Sequence, residues 1–218
     1  MKRILTLLAV LGCSTVLHAS EYSVALDTLG ATGRLTKGSH NRDWPVVKAL
    51  AVSDHGSGLL LNAPMDSAFV EVQLLVPVPI TAVEISLIDR NWRFIRTVDI
   101  YVDGKLVKEG VEFGSELVEA ADARGRSIKK APSVRVEFDG VKGSVVGIAV
   151  TSLHPPREQP NPENKPIEYG GIERIRVFSS EDISSFTTML EAFKVADARA
   201  IAFSAALASK PETFAEVR

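Results

Sequence analysis

The sequence predicts a mostly β protein, an antiparallel sandwich or barrel followed by a C-terminal amphipathic α-helix. Three observations predict it. Short runs of alternating apolar and polar residues fill the middle of the chain, turn-forming Gly, Pro and Asp-Gly residues separate them, and beyond Phe178 the apolar residues change to spacings of three and four. Strands that alternate with helical tracts, the pattern of a parallel nucleotide-binding sheet, are not found.

The first tract reads as an export leader. Lys2 and Arg3 precede an apolar run from Ile4 to Leu11 that continues weakly to Ala19, and polar Ser20, Glu21 and Tyr22 follow. A basic head, a short apolar stretch and a small residue at the exit make a secretory signal. The run is too short to span a bilayer, which takes roughly 20 apolar residues, so no membrane span is expected. Two exits compete. Leu17-His18-Ala19 suits ordinary cleavage and releases a protein to the periplasm or the outside. Val10-Leu11-Gly12-Cys13 resembles a lipoprotein box, which would put a lipid anchor on Cys13 and the protein on a membrane. The first is favoured, because Leu11 is awkward before the Gly and the tract after Cys13 stays apolar. Cleavage at Ala19 removes the single Cys, so stability rests on a core without disulfides. It also removes two positive charges from a chain whose formal net charge is −2. With no basic block, nucleic acid is not an expected partner.

The expected strands lie at 69–74, 83–87, 98–102, 134–138 and 172–178, each with period-two alternation that turns one set of side chains to a core and the other to water. Residues 145–150 are more continuously apolar and read as an inner strand. Val76-Pro77-Val78-Pro79 is expected to break two strands. Asp103-Gly104 has the chemistry of a tight hairpin, and Asp139-Gly140 and Lys142-Gly143 are read as turns as well. Residues 153–168 hold five prolines and are expected to form a surface loop. Ser179, Ser180, Glu181 and Asp182 then supply helix-start chemistry. Ile183, Phe186, Met189, Leu190, Phe193, Ala196, Ala200, Phe203 and Leu207 line one helical face. The resulting organisation is a leader at 1–19, a sandwich at 20–179, and a helix and tail at 180–218.

The order of strands and connectors resembles the discoidin, or factor five/eight C-type, domain of the galactose-binding-like group. Phe69 to Leu74 followed by Pro79 to Ile85 resembles its strand, Pro-containing turn and next strand. Phe94 to Gly104 resembles its following strand and hairpin, and Ser133 to Phe138 and Gly171 to Phe178 resemble two later strands. The resemblance implies a jelly-roll sandwich and a non-catalytic binding role. The Cys pair that clips many members is absent, and Trp44 and Trp92 are the only tryptophans.

Two loop clusters carry recognition chemistry. Asp89-Arg90-Asn91-Trp92-Arg93 lies between expected strands. There Trp92 would offer an apolar face to a sugar ring while Arg90, Asn91 and Arg93 reach its hydroxyls. The second cluster holds Arg42 and Trp44, with His55 further on, and the resemblance makes Asp43 and Asp54 candidates for a structural calcium. No hydrolase elbow, metalloprotease motif or phosphate loop occurs, so no enzyme is expected. The expectation is an exported glycan- or envelope-binding module. Its alternative is an envelope assembly protein that makes protein contacts through the helix and the Pro-rich loop. The intact mass of the native protein distinguishes the two exits: a chain that begins at Ser20 without added lipid mass is expected, and lipid mass on Cys13 would establish the anchor.

Overall fold

The computed structural model describes residues 21–51, 58–88, 93–121, 124–156, 169–186 and 188. They form ten strands: β1 (Tyr22–Ser23), β2 (Thr32–Lys37), β3 (Leu59–Asn62), β4 (Phe69–Leu87), β5 (Ile95–Val102), β6 (Lys105–Glu112), β7 (Val118–Ala121), β8 (Ser127–Lys130), β9 (Ser133–Leu153) and β10 (Tyr169–Ser179). All pairings are antiparallel. The mostly β sandwich expected from the alternation is therefore present.

Two long strands organise it. The first part of β4, Phe69 to Gln73, lies between β2 and the last part of β9. Beyond β9 come β5 and then β6, which completes a five-stranded layer. The second part of β4 pairs with β10 on one side and with the first part of β9 on the other. The short strands β1 and β3 add to β10, and together these make the second layer. The expected break at Val76–Pro79 is absent, because β4 runs through it. Pro77 falls where the β4–β9 register jumps between Gln73 and Val78. A residue without an N–H is tolerated at such an irregularity. The same applies to β9, which runs through the expected turns at 139–143 with a register shift opposite Ile80 and Ala82.

Alternation places the core as the sequence pattern requires. Val70, Val72, Val98, Ile100, Val146 and Ile148 are fully buried on the inner side of the five-stranded layer, and Val83, Ile85, Ile175 and Val177 are buried on the other layer. At roughly 25 cal/mol per Å² of apolar surface removed from water, this burial is the main stabilising term. Asp103 and Gly104 join β5 to β6 with φ of 47° and 78°, the pair of positive values that a type I′ hairpin needs. Asp103 also accepts hydrogen bonds from the Ser144 and Val145 amides at 3.1 and 2.9 Å, which ties the hairpin to β9. On the second layer, Glu21 accepts a bond from Thr81 Oγ1 at 3.1 Å and pairs with Arg135, whose guanidinium lies 4.3 Å from the Phe178 ring centroid.

Past β10, Asp182 accepts the Ser184 amide at 2.9 Å, and Ser184, Ser185 and Phe186 are helical. Ile183 is buried in the core, whereas Phe186 is 44% exposed. The rest of the expected helical face lies outside the described residues, as do Pro160, Pro162 and Pro166 of the Pro-rich tract. Among the described residues no helix is long and apolar enough to cross a membrane.

Elements also approach closely at Gly170, where an added Cβ would stand 2.6 Å from the Arg93 carbonyl oxygen and 2.8 Å from Met65 Sδ. Gly170→Ala is expected to destabilise the domain by about 1–3 kcal/mol through overpacking. It should be read as a lower urea midpoint with an unchanged m value. An unchanged midpoint would show that the segment yields.

Candidate functional site

One end of the sandwich gathers loops that are distant in sequence. The 39–45 loop is sewn to β3: the Asn62 amide donates to the Ser39 carbonyl, Asn41 to Leu60, and Leu60 to Trp44, at 2.9, 2.9 and 3.3 Å. His40 bridges Leu61, and Leu61 pairs with Gly170 of β10. Against Gly170 stands the Arg93 carbonyl. The 39–45 loop and Arg93, the described parts of the two clusters singled out in the sequence, thus both lie against the β3–β10 pair, where neighbouring strands are about 4.8 Å apart.

Side chains at this end are partly committed. The Asp43 amide donates to Asn41 Oδ1 at 2.9 Å, a local turn that shapes the loop. His40 Nδ1 donates to the Asn41 carbonyl at 2.8 Å. Trp44 is half-buried, with the Lys48 ammonium 5.3 Å from a ring centroid, within cation–π range. Val46, Ala49 and Leu50 of the following 3-10 turn are buried and anchor the loop from below. Arg42 and Asp43 are exposed.

Arg93 has a structural contact at this end. Its Nε donates to the His154 carbonyl at 2.8 Å. His154 in turn gives its amide to Phe94 and its Nε2–H to the Phe113 carbonyl, at 2.9 and 2.8 Å. The guanidinium therefore holds the end of β9 against the start of β5. Arg90, Asn91 and Trp92, and likewise His55 and Asp54, lie outside the described residues. Among the described residues no group of three His, Cys, Asp or Glu side chains is placed to hold a metal ion, and the exposed Asp43 gathers no such group for calcium.

A second feature was not legible in the sequence. A shallow groove of about 250 Å³ opens on the outer side of the five-stranded layer, lined by Thr32, Gly33, Arg34, Glu71, Gln73 and Val145. Arg34 Nε and Nη2 lie 2.7 and 2.6 Å from Glu71 Oε2. Gln73 Nε2 donates to the Leu74 and Ser144 carbonyls at 3.1 and 3.2 Å, which leaves its side-chain oxygen as an acceptor. The Arg34 side chain is 76% exposed, so the pair contributes at most about 1 kcal/mol to stability. Thr32 and Arg34 lie in a tract with no strand signal. Only the alternation of Phe69, Glu71 and Gln73 marked the other wall.

No family model matches the chain, and no curated protein matches it. Solved structures do. The family 32 carbohydrate-binding module of NanJ from Clostridium perfringens, in complex with galactose, is 13% identical over 73% of this chain and 100% of that one, with a TM-score of 0.44. A fucose-binding module, SpX-3, from Streptococcus pneumoniae is 12% identical over 72% and 96%, with a TM-score of 0.44. The chain is similar in fold to carbohydrate-binding modules. Allantoicase from Saccharomyces cerevisiae is 16% identical over 73% of this chain and 43% of that one, with a TM-score of 0.46. At such identities and TM-scores the likeness carries no argument about role. What this chain binds rests on its own residues.

Proposed function

We propose that this protein is an exported, non-catalytic binding module that holds a glycan or another cell-envelope component at the β3–β10 end of its sandwich. Residues 1–19 serve as its leader and 180–218 as a helical tail. The observation that carries the reading is the convergence of the 39–45 loop and the Arg93 segment on Gly170 and Leu61. Trp44 stands in that loop, half-buried. A sugar needs an apolar ring face beside polar groups that both donate and accept. Trp44 and Trp92 supply the faces; Arg42, Asn91, Arg90 and His55 supply the polar groups. Arg93 acts as a positioning residue through the His154 carbonyl. Asp43 and Asp54 remain the residues through which calcium would stiffen these loops.

A second reading is favoured by one observation. Ile183 is anchored in the core while Phe186, three residues on, is 44% exposed. The start of the helix thus presents an aromatic side chain outward, as an assembly protein that uses its tail and the Pro-rich loop would require.

A glycan array followed by titration calorimetry on the isolated full-length protein tests the first reading. Trp44→Ala and Trp92→Ala are each expected to weaken binding about 10- to 100-fold, because a buried aromatic face is worth roughly 1.5–3 kcal/mol and about 1.4 kcal/mol is tenfold in affinity. Absence of binding across diverse envelope glycans, or two variants that bind like the parent, would overturn it. Co-purification with an envelope protein, lost when the tail from Ser180 is removed, would favour the second.

A further inference from the structure

The outer face of the five-stranded layer combines an aromatic pair with the polar groove, and the strand register joins them. Arg34 pairs with Glu71, Glu71 with Gly147, and Gly147 with Tyr101, so four strands contribute one continuous row across the sheet. The adjoining rows set Thr32, Gln73 and Val145 on one side, and Phe69, Ala149 and Asp99 on the other.

Gly147 is the pivot of this face. A glycine in a strand interior weakens the strand and often marks a place where another group comes close. Here the group is aromatic: an added Cβ would stand 2.7 Å from Phe69 Cζ and 3.2 Å from Tyr101 Cβ. The Phe69 and Tyr101 rings meet at 5.5 Å between centroids with 54° between their planes. Both side chains are half-buried, so each keeps part of its surface in water. An angled aromatic cup therefore rests on the middle of the sheet. Glu71 lies two strand spacings from Tyr101, about 10 Å.

The chemistry of the groove selects the occupant. Arg34 and Glu71 neutralise each other through Glu71 Oε2, so neither an anion nor a cation is favoured. The second carboxylate oxygen and the Gln73 side-chain oxygen face hydroxyl donors, and the exposed guanidinium offers donors in return. Ligand pockets for larger molecules run from about 300 Å³ upward, so a groove of about 250 Å³ suits a single ring.

We infer that this face is a second, independent binding surface for a neutral saccharide. One ring lies over the Phe69–Tyr101 pair, and the next sugar unit fills the groove, its hydroxyls turned toward Glu71, Gln73 and Arg34. The surface does not depend on the loop-end reading, because it lies on a broad face of the sandwich and shares no residue with the loops around Trp44.

Amide chemical-shift mapping of the full chain tests it, with galactose, lactose, chitobiose and cellotriose as probes. Shifts are expected at Glu71, Gln73, Tyr101 and the 145–149 stretch for at least one probe. They should weaken at least tenfold in Tyr101→Ala and in the isosteric Glu71→Gln, the second of which guards against loss of fold. Shifts confined to residues 39–62 and 169–171 would overturn this inference and leave the loop-end site standing; the reverse pattern would remove only the loop-end site. No shift with any neutral sugar, unchanged affinity in both variants, or concentration-dependent shifts of the same face without sugar would each overturn it, the last by showing a contact between copies.

Discussion

The pairing of β4 with β9 is the constraint on which the other elements depend. It runs from Phe69 opposite Ala149 to Ser86 opposite Ser133 and passes through both layers of the sandwich. Side chains alternate along each strand, so a slip of one residue would turn Val70, Val72 and Ile148 to water and Glu71 to the core. The two register shifts along the pair, at Gln73–Val78 and Ile80–Ala82, absorb the change of direction between the layers. β5 and β6 hang on the far side of β9, while β2 and β10 flank opposite parts of β4. The loop end and the open sheet face both take their geometry from this one ladder.

A polar residue in such a framework has two uses, and the structure separates them. Asp103 ties a hairpin to β9, Arg135 joins Glu21 to the Phe178 ring, and Arg93 pins the His154 carbonyl. These groups satisfy backbone atoms or each other, and for the half-buried Arg93 that avoids a desolvation cost of a few kcal/mol. Arg34, Glu71 and Gln73 stand on the open side of a sheet, where little of their pairing is needed for stability.

The legibility of the fold follows from the range of each interaction. Alternation at 98–102, 134–138 and 172–178 is a local pattern, and all three tracts are strands. Asp103-Gly104 is a local steric requirement, and the turn is there. Val76–Pro79 misleads because proline signals a break only where an N–H is needed in a regular ladder, and Pro77 sits at an irregularity in it. β2 and β3 escape notice for a related reason. Thr32–Lys37 and Leu59–Asn62 have weak or short patterns, and each is a strand because a neighbour, β4 or β10, offers it a paired edge.

For the site, the residue types were readable and their company was not. Trp44, Arg42 and Arg93 stand out in a sequence poor in tryptophan, but nothing local says that Arg93 faces the His154 carbonyl or that its own carbonyl stands against Gly170. The sequence by itself determined the β class, the hairpin and the identity of the core faces, because each depends on residues within one turn or one strand. Only the tertiary structure decided that β4 and β9 serve both layers, that Gly147 underlies an aromatic pair, and that Arg34, Glu71 and Tyr101 share one row. Those facts depend on the register between strands distant in the chain, which is set by the packing of all the inner faces together.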